Sequence, residues 1–311
     1  MDKKVIDLDL LIVGGGPAGL TAAIYASRSN LNMLLIEDGI VGGQVKNSYT
    51  IENYPGFAEI SGDELAQKMY DQAINLGANI DEFDSIIRFD LSDNNKVVET
   101  LSYIYNVKTL IIATGATPKK LPVENESTFA GKGIHYCAVC DGAMYKDQDI
   151  AVVGGGNSAL EEALFLSKYA KKVYIIRRHD YFKGEKKLLD LVNKNDKIEI
   201  LYNKNIVKVN GNDFVDSVVL EDTKNHTNSE LNIRAIFTYI GTEPKTTQFK
   251  NILKLDDKGY IYSDENMNTN IKGVFVAGDV RKKEYRQITT AVNDGTIAAL
   301  EAERFLSKKS S

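Results

Sequence analysis

The stretch LIVGGGPAG at residues 11–19 decides the fold, because it recurs as AVVGGGNSA at residues 151–159. Each copy joins an apolar run, typical of a buried strand, to small residues that favour a helix. A second apolar strand follows each predicted helix, at 33–36 and 173–176. The repeat therefore predicts an α/β protein with two βαβ units, one in each of two Rossmann-like nucleotide-binding domains of the three-layer ββα type.

The positions of two prolines indicate that one domain is inserted into the other. Pro118 and Pro244 each follow an apolar strand and a glycine, and they bracket the second βαβ unit. We expect residues 117–246 to form the inserted domain, and 1–116 with 247–311 to form one discontinuous domain. Two strands that cross between the domains would serve as a hinge.

Further local signals fill the gaps between these units. Ser61-Gly-Asp-Glu64 is a capping box that begins a helix, and Gly77 is placed to end it. Residues 80–108 predict a β-meander of short strands. A final helix is expected from Gln287 onward.

Composition excludes several classes of protein. The 311 residues are 43% hydrophobic and 26% charged, which is ordinary for a globular protein. A net charge of −5 without a basic tract argues against nucleic acid as a partner. No segment approaches the roughly 20 apolar residues of a membrane span, and no signal peptide is evident, so we expect a cytoplasmic protein.

The glycine clusters suit the binding of dinucleotides. In such a loop the first glycine makes the turn, the second lets the backbone approach a pyrophosphate, and the third lets helix and strand pack closely. The second copy has Ala159 at the third position, which is still small. A strand–helix turn without a ligand is the alternative for either cluster taken alone.

The residues that end the second strands distinguish the two sites. Glu37 and Arg177 occupy the same position relative to the first glycine of their fingerprints, and Arg178 follows Arg177. A carboxylate accepts hydrogen bonds from ribose hydroxyls, whereas guanidinium groups suit a 2′-phosphate. We therefore assign FAD to the first unit and NADPH to the second, the alternative being ordinary solvated charges at strand ends.

The two cysteines form one Cys137-Ala-Val-Cys140 motif, followed by Asp141. This spacing permits a readily reduced disulfide, and the neighbouring acid could protonate a leaving thiolate. Two alternatives remain at this point. The thiols could be structural and buried, or they could bind a metal with His135, although the second pair of ligands typical of structural zinc sites is missing.

Further motifs lie around the two fingerprints. They are Gly42-Gly43-Gln44, Glu52-Asn53-Tyr54-Pro55-Gly56, Ala113-Thr114-Gly115, Cys137-Ala-Val-Cys140-Asp141, Gly278-Asp279 and Arg286-Gln287. With these motifs the chain resembles the low-molecular-weight thioredoxin reductases of bacteria, a class of pyridine nucleotide-disulfide oxidoreductases. The resemblance extends over essentially the whole chain without large insertions.

The resemblance implies which residues bind the cofactors. FAD would contact the first fingerprint and the later motifs, at Gly14, Gly16, Pro17, Ala18, Gly19, Glu37, Gly43, Gln44, Asn53, Ala113, Thr114, Gly115, Gly278, Asp279, Arg286, Gln287 and Ile288. NADPH would contact Gly154, Gly156, Asn157, Ser158, Ala159, Arg177, Arg178, His179 and Lys183. No metal site is expected.

The resemblance also implies a mechanism and a partner. Electrons would pass from NADPH through FAD to the dithiol and on to thioredoxin. Cys140 would face the flavin, Cys137 would attack the thioredoxin disulfide, and Asp141 would act as acid and base. Rotation of the inserted domain about the hinge would bring the dithiol and the nicotinamide to the flavin in turn, in a homodimeric enzyme.

One departure from the family pattern concerns the nucleotide site. The family usually has a His-Arg-Arg run and a further Arg, whereas this chain has Arg177-Arg178-His179 and Lys183. We expect a weaker preference for NADPH over NADH as a result. The alternatives are a flavoprotein thioredoxin reductase driven by ferredoxin, a flavin or ferredoxin–NADP reductase of the same architecture, and a non-catalytic FAD redox sensor.

Overall fold

The computed structural model describes residues 3–47, 51, 53–136 and 138–309, and the side chains of 47, 139, 140 and 309 lie outside that description. The chain divides into two compact units. Unit 1 comprises Met1–Thr117 and Glu243–Ser311, and unit 2 comprises Pro118–Thr242. The second crossing between the units therefore precedes the boundary after residue 246 that the sequence suggests.

The helices and strands follow one another in three segments. The first segment contains β1 (Lys4–Val13), α1 (Pro17–Arg28), β2 (Met33–Glu37), a 3₁₀ turn (Gly43–Asn47), α2 (Gly62–Asn75), β3 (Asn79–Glu82), β4 (Ile86–Leu91), β5 (Lys96–Thr100), β6 (Tyr103–Ile112) and β7 (Ala116–Pro118). The second contains α3 (Glu126–Phe129), β8 (Ile134–His135), α4 (Ala138–Asp141), a 3₁₀ turn (Gly142–Tyr145), β9 (Asp149–Gly154), α5 (Asn157–Leu166), β10 (Lys172–Arg177), α6 (Lys186–Asn193), β11 (Ile198–Tyr202), β12 (Lys204–Gly211), β13 (Val215–Asp222), β14 (Asn228–Asn232) and β15 (Ala235–Tyr239). The third contains β16 (Thr242–Pro244), a 3₁₀ turn (Thr247–Phe249), β17 (Val274–Val276), a 3₁₀ turn (Gly278–Val280) and α7 (Ile288–Lys309).

The sheet of unit 1 places several predicted site residues at one edge. Its parallel strands lie in the order β3-β2-β1-β6, and β17 pairs with the end of β6. Val13 is in register with Ile36 on β2 and with Ile112 on β6, which in turn pairs with Val276. These strands therefore end at the same level, and the residues that follow them form the carboxyl edge where open α/β sheets bind ligands.

Two apolar layers enclose this sheet. On one face α1, α2 and α7 pack with residues such as Leu20, Leu65 and Phe275. On the other face Phe89 and Phe249 join a second buried cluster, with ring centroids 4.7 Å apart. The predicted meander accounts for β4, β5 and β6, which are antiparallel, whereas β3 pairs parallel with β2 and is not part of it.

Unit 2 repeats the arrangement with a different second layer. Its parallel sheet has the order β11-β10-β9-β15-β8. Helices α5 and α6 cover one face, where Leu160 and Val192 are buried. The antiparallel sheet β12-β13-β14 covers the other face, with Val218 in that core. The α/β class with two Rossmann-like units is thus confirmed.

Local signals in the sequence are also found in the structure. The Ser61 hydroxyl accepts a hydrogen bond from the backbone N–H of Glu64 at 3.2 Å and caps α2, and Gly77 follows the helix with φ of +88°. Strands β7 and β16, which end at Pro118 and Pro244, pair as a two-stranded sheet where the chain crosses between the units. Within the described ranges, none of the helices combines the length and the apolar character needed to cross a membrane.

Candidate nucleotide and dithiol sites

The first glycine cluster is shaped by close backbone contacts. Gly14 follows β1 with φ of +108°, a conformation that favours glycine. A Cβ at Gly19 would overlap the carbonyl oxygen of Gly14, and a Cβ at Gly14 would overlap the carbonyl oxygen of Ala113. The loop therefore lies directly against the end of β6, so two predicted parts of the FAD site are adjacent.

The N-terminus of α1 is open to an anionic ligand. Gly16 is the N-cap residue, in extended conformation and without a side-chain hydrogen bond, and Pro17 occupies the first turn. No acidic residue lies in that turn. The backbone N–H groups of a first helical turn have no partner within the helix, and with the helix dipole they favour a phosphate. A Cβ on Gly16 would come no nearer than 3.9 Å to its described surroundings.

Glu37 lies at the end of β2, beside this loop. Its Oε2 accepts a hydrogen bond from the backbone N–H of Gly15 at 2.6 Å, and its Oε1 accepts one from Gly39 at 3.3 Å. The carboxylate is therefore held at the carboxyl edge of the sheet, where it could also accept hydrogen bonds from the hydroxyls of a ribose.

Residues of the later motifs meet at the start of α7. The Asn53 side-chain amide donates to Oε1 of Gln287 at 3.3 Å. The Arg286 guanidinium lies 4.1 Å from the centroid of the Tyr260 ring, and its Nε donates to the carbonyl of Asp279 at 3.5 Å. These contacts bring four of the predicted FAD residues into one region, with Ile288 beginning the helix.

Asp279 and a neighbouring acid form a charged cluster that the sequence analysis missed in part. Oδ1 of Asp279 is shielded from solvent and lies 3.3 Å from Nζ of Lys283, although it makes no hydrogen bond among the described residues. Burial raises the pKa of Asp279, against the effect of Lys283. Asp294 is fully buried on α7 and accepts hydrogen bonds from Arg281, Lys283 and the N–H of Gly278. An acid inside an alanine-rich helix was the signal that could have identified it.

The second glycine cluster and the start of α5 repeat this arrangement in unit 2. Each glycine loop, together with the N-terminus of the helix that follows it, is called a glycine cradle below. A Cβ at Gly154 would lie 2.6 Å from the carbonyl oxygen of Tyr239 and 2.7 Å from Cβ of Ala159. Gly156 caps α5 in extended conformation without a side-chain hydrogen bond, and a Cβ there would meet nothing within 4 Å. This helix N-terminus is therefore also suited to a phosphate.

A loop after β10 is fastened to this cradle. The N–H of Lys183 donates to the carbonyl of Gly155 at 2.8 Å. Asn157 accepts from the N–H of Glu185 at 2.7 Å and donates to its carboxylate at 3.1 Å. The side chain of Asn157 thus holds the loop in place.

Arg177 takes part in the same fastening. Its side chain is buried, its Nε donates to the carbonyl of Tyr181 at 2.9 Å, and its guanidinium packs near the rings of Tyr181 and Phe182. A Cβ at Gly155 would overlap this guanidinium. Arg177 therefore stabilises the loop after β10. It contacts Gly155 in unit 2, as Glu37 contacts the equivalent Gly15 in unit 1.

The other basic residues of this region are more exposed. Arg178 and Lys183 are exposed, and the His179 ring stacks on Tyr181 with centroids 5.4 Å apart. Desolvation, followed by the charges of Arg177, Arg178 and Lys183, lowers the pKa of His179. The cations available to a ligand at neutral pH are thus those of Arg178 and Lys183.

Helix α4, which follows β8, contains the last three residues of the Cys-x-x-Cys motif and Asp141. Cys137 and the side chain of Cys140 lie outside the described residues. The neighbouring groups are described: His135 Nδ1 lies 3.0 Å from Oδ2 of Asp141, and His135 Nε2 lies 2.8 Å from the hydroxyl of Tyr145. Asp141 is thereby tied to a buried imidazole that the sequence analysis considered only as a metal ligand.

A partly buried tyrosine and a partly buried acid also lie near this helix. The N–H of Ala138 donates to the hydroxyl of Tyr239 at 2.8 Å. Burial raises the pKa of Tyr239, and the charge of Glu162 on α5 raises it further. Burial also raises the pKa of Glu162 to about 7. Among the described residues, which exclude the cysteine sulfurs, no group of three or more candidate metal ligands occurs.

The chain matches a known family over most of its length. The family model described as pyridine nucleotide-disulphide oxidoreductase matches residues 8–295. The chain belongs to this family. Members of the pyridine nucleotide-disulphide oxidoreductases use a flavin and a pyridine nucleotide. The open N-termini of α1 and α5, beside Glu37 and Arg177 respectively, fit two such nucleotides.

Individual pyridine nucleotide-disulphide oxidoreductases are similar over the whole chain. The thioredoxin reductase of Bacillus subtilis (strain 168) is 42% identical over 299 residues, which cover 96% of this chain and 94% of that protein. A 34.2 kDa protein in the rubredoxin operon of Clostridium pasteurianum is 50% identical over 307 residues, 99% of this chain and 100% of that protein. The crystal structure of Lactococcus lactis thioredoxin reductase has a TM-score of 0.89 at 39% identity, covering 97% of this chain and 99% of that one. The resemblance to low-molecular-weight thioredoxin reductases is thus confirmed.

Proposed function

We propose that this chain is an NADPH-dependent thioredoxin-disulfide reductase, with FAD held by unit 1 and NADPH by unit 2. The observation that carries the proposal is the presence of two open glycine cradles, with unlike charges at their strand ends, on a chain whose only cysteines form one Cys-x-x-Cys motif. Such a chain has binding sites for a two-electron relay and one sulfur pair to receive the electrons.

The residues of unit 1 would hold FAD by its polar groups. The N-terminus of α1 would bind the pyrophosphate, and Glu37 would accept hydrogen bonds from a ribose. Asp279, whose Oδ1 makes no hydrogen bond to the residues that the structure describes, and the Asn53–Gln287 pair offer further polar contacts. Bound FAD would supply the hydride acceptor and the two-electron donor of this chemistry.

The residues of unit 2 would bind NADPH and carry out thiol exchange. The N-terminus of α5 would bind the pyrophosphate, and Arg178 with Lys183 would bind the 2′-phosphate. In the exchange, the Cys137 thiolate attacks the thioredoxin disulfide and one thioredoxin sulfur leaves as a thiolate. Cys140 then attacks the mixed disulfide, which restores the Cys137–Cys140 disulfide and releases dithiol thioredoxin, while Asp141 handles the protons.

The partner would be thioredoxin or a thioredoxin-like protein, and the enzyme would act as a cytoplasmic homodimer. Alternation of the dithiol and the nicotinamide at the flavin by rotation about the β7–β16 connections belongs to the same proposal. Sedimentation of the purified protein tests the dimer, with a monomer as the contradicting result.

Anaerobic stopped-flow absorbance of the flavin tests the electron path. A Cys140→Ser variant should still be bleached by NADPH at the wild-type rate but should reduce no thioredoxin disulfide. A Cys137→Ser variant is the matched control, since it should keep the bleaching and lose the exchange with thioredoxin. Disulfide reduction by Cys140→Ser would contradict the proposal. Bleaching of the flavin by reduced ferredoxin but not by NADPH would show that ferredoxin, rather than NADPH, is the electron donor.

A further inference from the structure

His135 is a buried residue that lies close in sequence to the dithiol. Only 4% of the residue is exposed, and its ring stacks on Phe237 with centroids 5.3 Å apart. Both ring nitrogens have polar partners, Nδ1 the carboxylate of Asp141 and Nε2 the hydroxyl of Tyr145. A buried imidazole with two polar partners is held in one orientation, and it lies two residues before the first cysteine.

The chemistry of the partners sets the tautomer of the ring. Burial lowers the pKa of His135, against the charge and the hydrogen bond of Asp141. Burial raises the pKa of Tyr145, so its hydroxyl keeps its proton and can donate to Nε2. A carboxylate oxygen accepts and does not donate, so Nδ1, 3.0 Å from Oδ2 of Asp141, carries a proton that it donates to Asp141.

We propose that His135 is a positioning residue for the acid and base of the dithiol, and that its Nδ1–H holds the Asp141 carboxylate in the orientation needed for proton transfer at the cysteines. This inference rests on the proposed function, because it assigns His135 a place in thiol exchange. A carboxylate with one oxygen fixed by a buried donor keeps its other oxygen for the reacting group.

The ionisable groups around the ring show that His135 is the described residue that orients the Asp141 carboxylate. Asp141 and Tyr145 contact the ring directly, from α4 and the following 3₁₀ turn. From β15 the ring meets the apolar Phe237, while Tyr239 on the same strand is bonded to the N–H of Ala138. The charge of Glu162 on α5 raises the pKa of Tyr239. Among the described residues, the ion pair and hydrogen bonds that the structure gives for Asp141 come from His135.

Two substitutions separate the Nδ1–H from the bulk of the ring. His135→Phe keeps a ring against Phe237 but removes the donor to Asp141. His135→Asn places an amide N–H near the position of Nδ1 and restores the donor. We expect His135→Phe to slow the reduction of thioredoxin about 10-fold or more and to shift the midpoint of its pH–rate profile, and His135→Asn to recover most of the rate.

A measurement that needs neither flavin nor nucleotide keeps the inference separate from the proposed function. In chemically reduced protein, the rate at which iodoacetamide alkylates Cys137 and Cys140 is followed against pH by mass spectrometry. His135→Phe should shift this profile, and His135→Asn should restore it. Tyr145→Phe, which keeps the His135–Asp141 pair, provides a second folded variant and should give a smaller shift in the same direction.

The outcomes distinguish the two ideas. Unchanged alkylation profiles in folded His135→Phe, or equal losses in His135→Phe and His135→Asn, would overturn the positioning role. If the His135 variants do not fold, an unchanged profile in Tyr145→Phe overturns the proposed tautomer and with it the role. If the wild-type protein reduces no thioredoxin with NADPH although the alkylation profiles shift as expected, the proposed function fails while the effect of His135 on the cysteines stands.

Discussion

The two glycine cradles are built on the same plan but use the residue at the end of their second strand differently. In unit 1, Glu37 accepts a hydrogen bond from the N–H of Gly15, the middle glycine of the loop. In unit 2, the Arg177 guanidinium lies against Gly155, again the middle glycine. Glu37 keeps a polar group at the edge of the sheet, whereas Arg177 is buried beneath Tyr181 and contributes to the loop that follows.

Equivalent positions in the two repeats therefore predict where a side chain lies, but they do not predict what it contacts. Equal spacing from the first glycine correctly puts both side chains beside their loops. The next residues then decide what each can do. The aromatic pair Tyr181 and Phe182 gives Arg177 an apolar cover, whereas Arg178 and Lys183, the residues that we propose bind the 2′-phosphate, are exposed.

The largest expected effect concerns the third small residue of each cradle. A methyl group at Gly19 would overlap the Gly14 carbonyl, while the equivalent Ala159 is accommodated in unit 2. Gly19→Ala should therefore destabilise unit 1 by about 3 kcal/mol or more and abolish flavin binding. Thermal unfolding and the visible flavin spectrum measure this. Gly16→Ala is the matched control for stability alone, since it should unfold as the wild type does although it weakens flavin binding. Wild-type stability in Gly19→Ala would contradict the packing argument.

The helices of the two cradles also differ at one equivalent position, buried in α1 and partly buried in α5, which gives a pH-dependent effect. Ala22 of α1 and Glu162 of α5 lie at equal distances from their first glycines. Since burial raises the pKa of Glu162 to about 7, the folded state binds its proton more tightly than the unfolded chain does. Its stabilising contribution is complete below the unfolded value of about 4.5 and is lost as the pH rises through about 7.

Glu162→Gln should remove this cost of ionisation. The variant should be more stable than the wild type by about 2–3 kcal/mol at pH 8 and nearly equal to it at pH 4.5. Unfolding by urea at both pH values, without added nucleotide, measures the difference. A stability gain that is the same at both pH values would show that packing, rather than ionisation, is responsible.

The open N-terminus of α5 leads to a smaller, site-specific effect. A methyl group on Gly156 would meet nothing within 4 Å, so Gly156→Ala should fold and bind flavin as the wild type does. The methyl would still occupy space that a pyrophosphate needs, and we expect about 30-fold weaker NADPH binding, about 2 kcal/mol. Calorimetric titration checks this, with Gly16→Ala as the counterpart that weakens flavin and spares NADPH. Undiminished NADPH binding would remove α5 from the site.

Much of this architecture could be predicted because it depends on local patterns. The repeat located both βαβ units, and the Ser61 capping box located α2, since strand, turn and cap each need particular residues nearby in sequence. The register that joins Val13, Ile36 and Ile112 could be expected only in outline, because it depends on pairing between distant strands.

The contacts that sequence reasoning missed depend on distant partners. His135 was considered as a metal ligand, but its partner Tyr145 and its cover Phe237 are brought to it by the folding of β15 and the 3₁₀ turn. Asp294 likewise acquires its role from Arg281 and Lys283, outside its own helix. Neither residue carries a short motif, so tertiary structure was needed to reveal them.

The smallest of the expected effects tests whether Arg178, rather than the preceding Arg177, binds the 2′-phosphate of NADPH. Arg178→Ala removes an exposed cation without disturbing the contacts of the buried Arg177, and should raise the KM for NADPH about 10-fold, about 1.4 kcal/mol, while leaving the KM for NADH unchanged. Steady-state kinetics with both nucleotides measures the ratio. Arg177→Lys is the comparison variant: because Arg177 fastens the loop through Tyr181, its loss should weaken both nucleotides together. If Arg178→Ala affects NADPH and NADH equally, the exposed cation does not read the 2′-phosphate, and the contrast drawn between the two cradles fails at its most specific point.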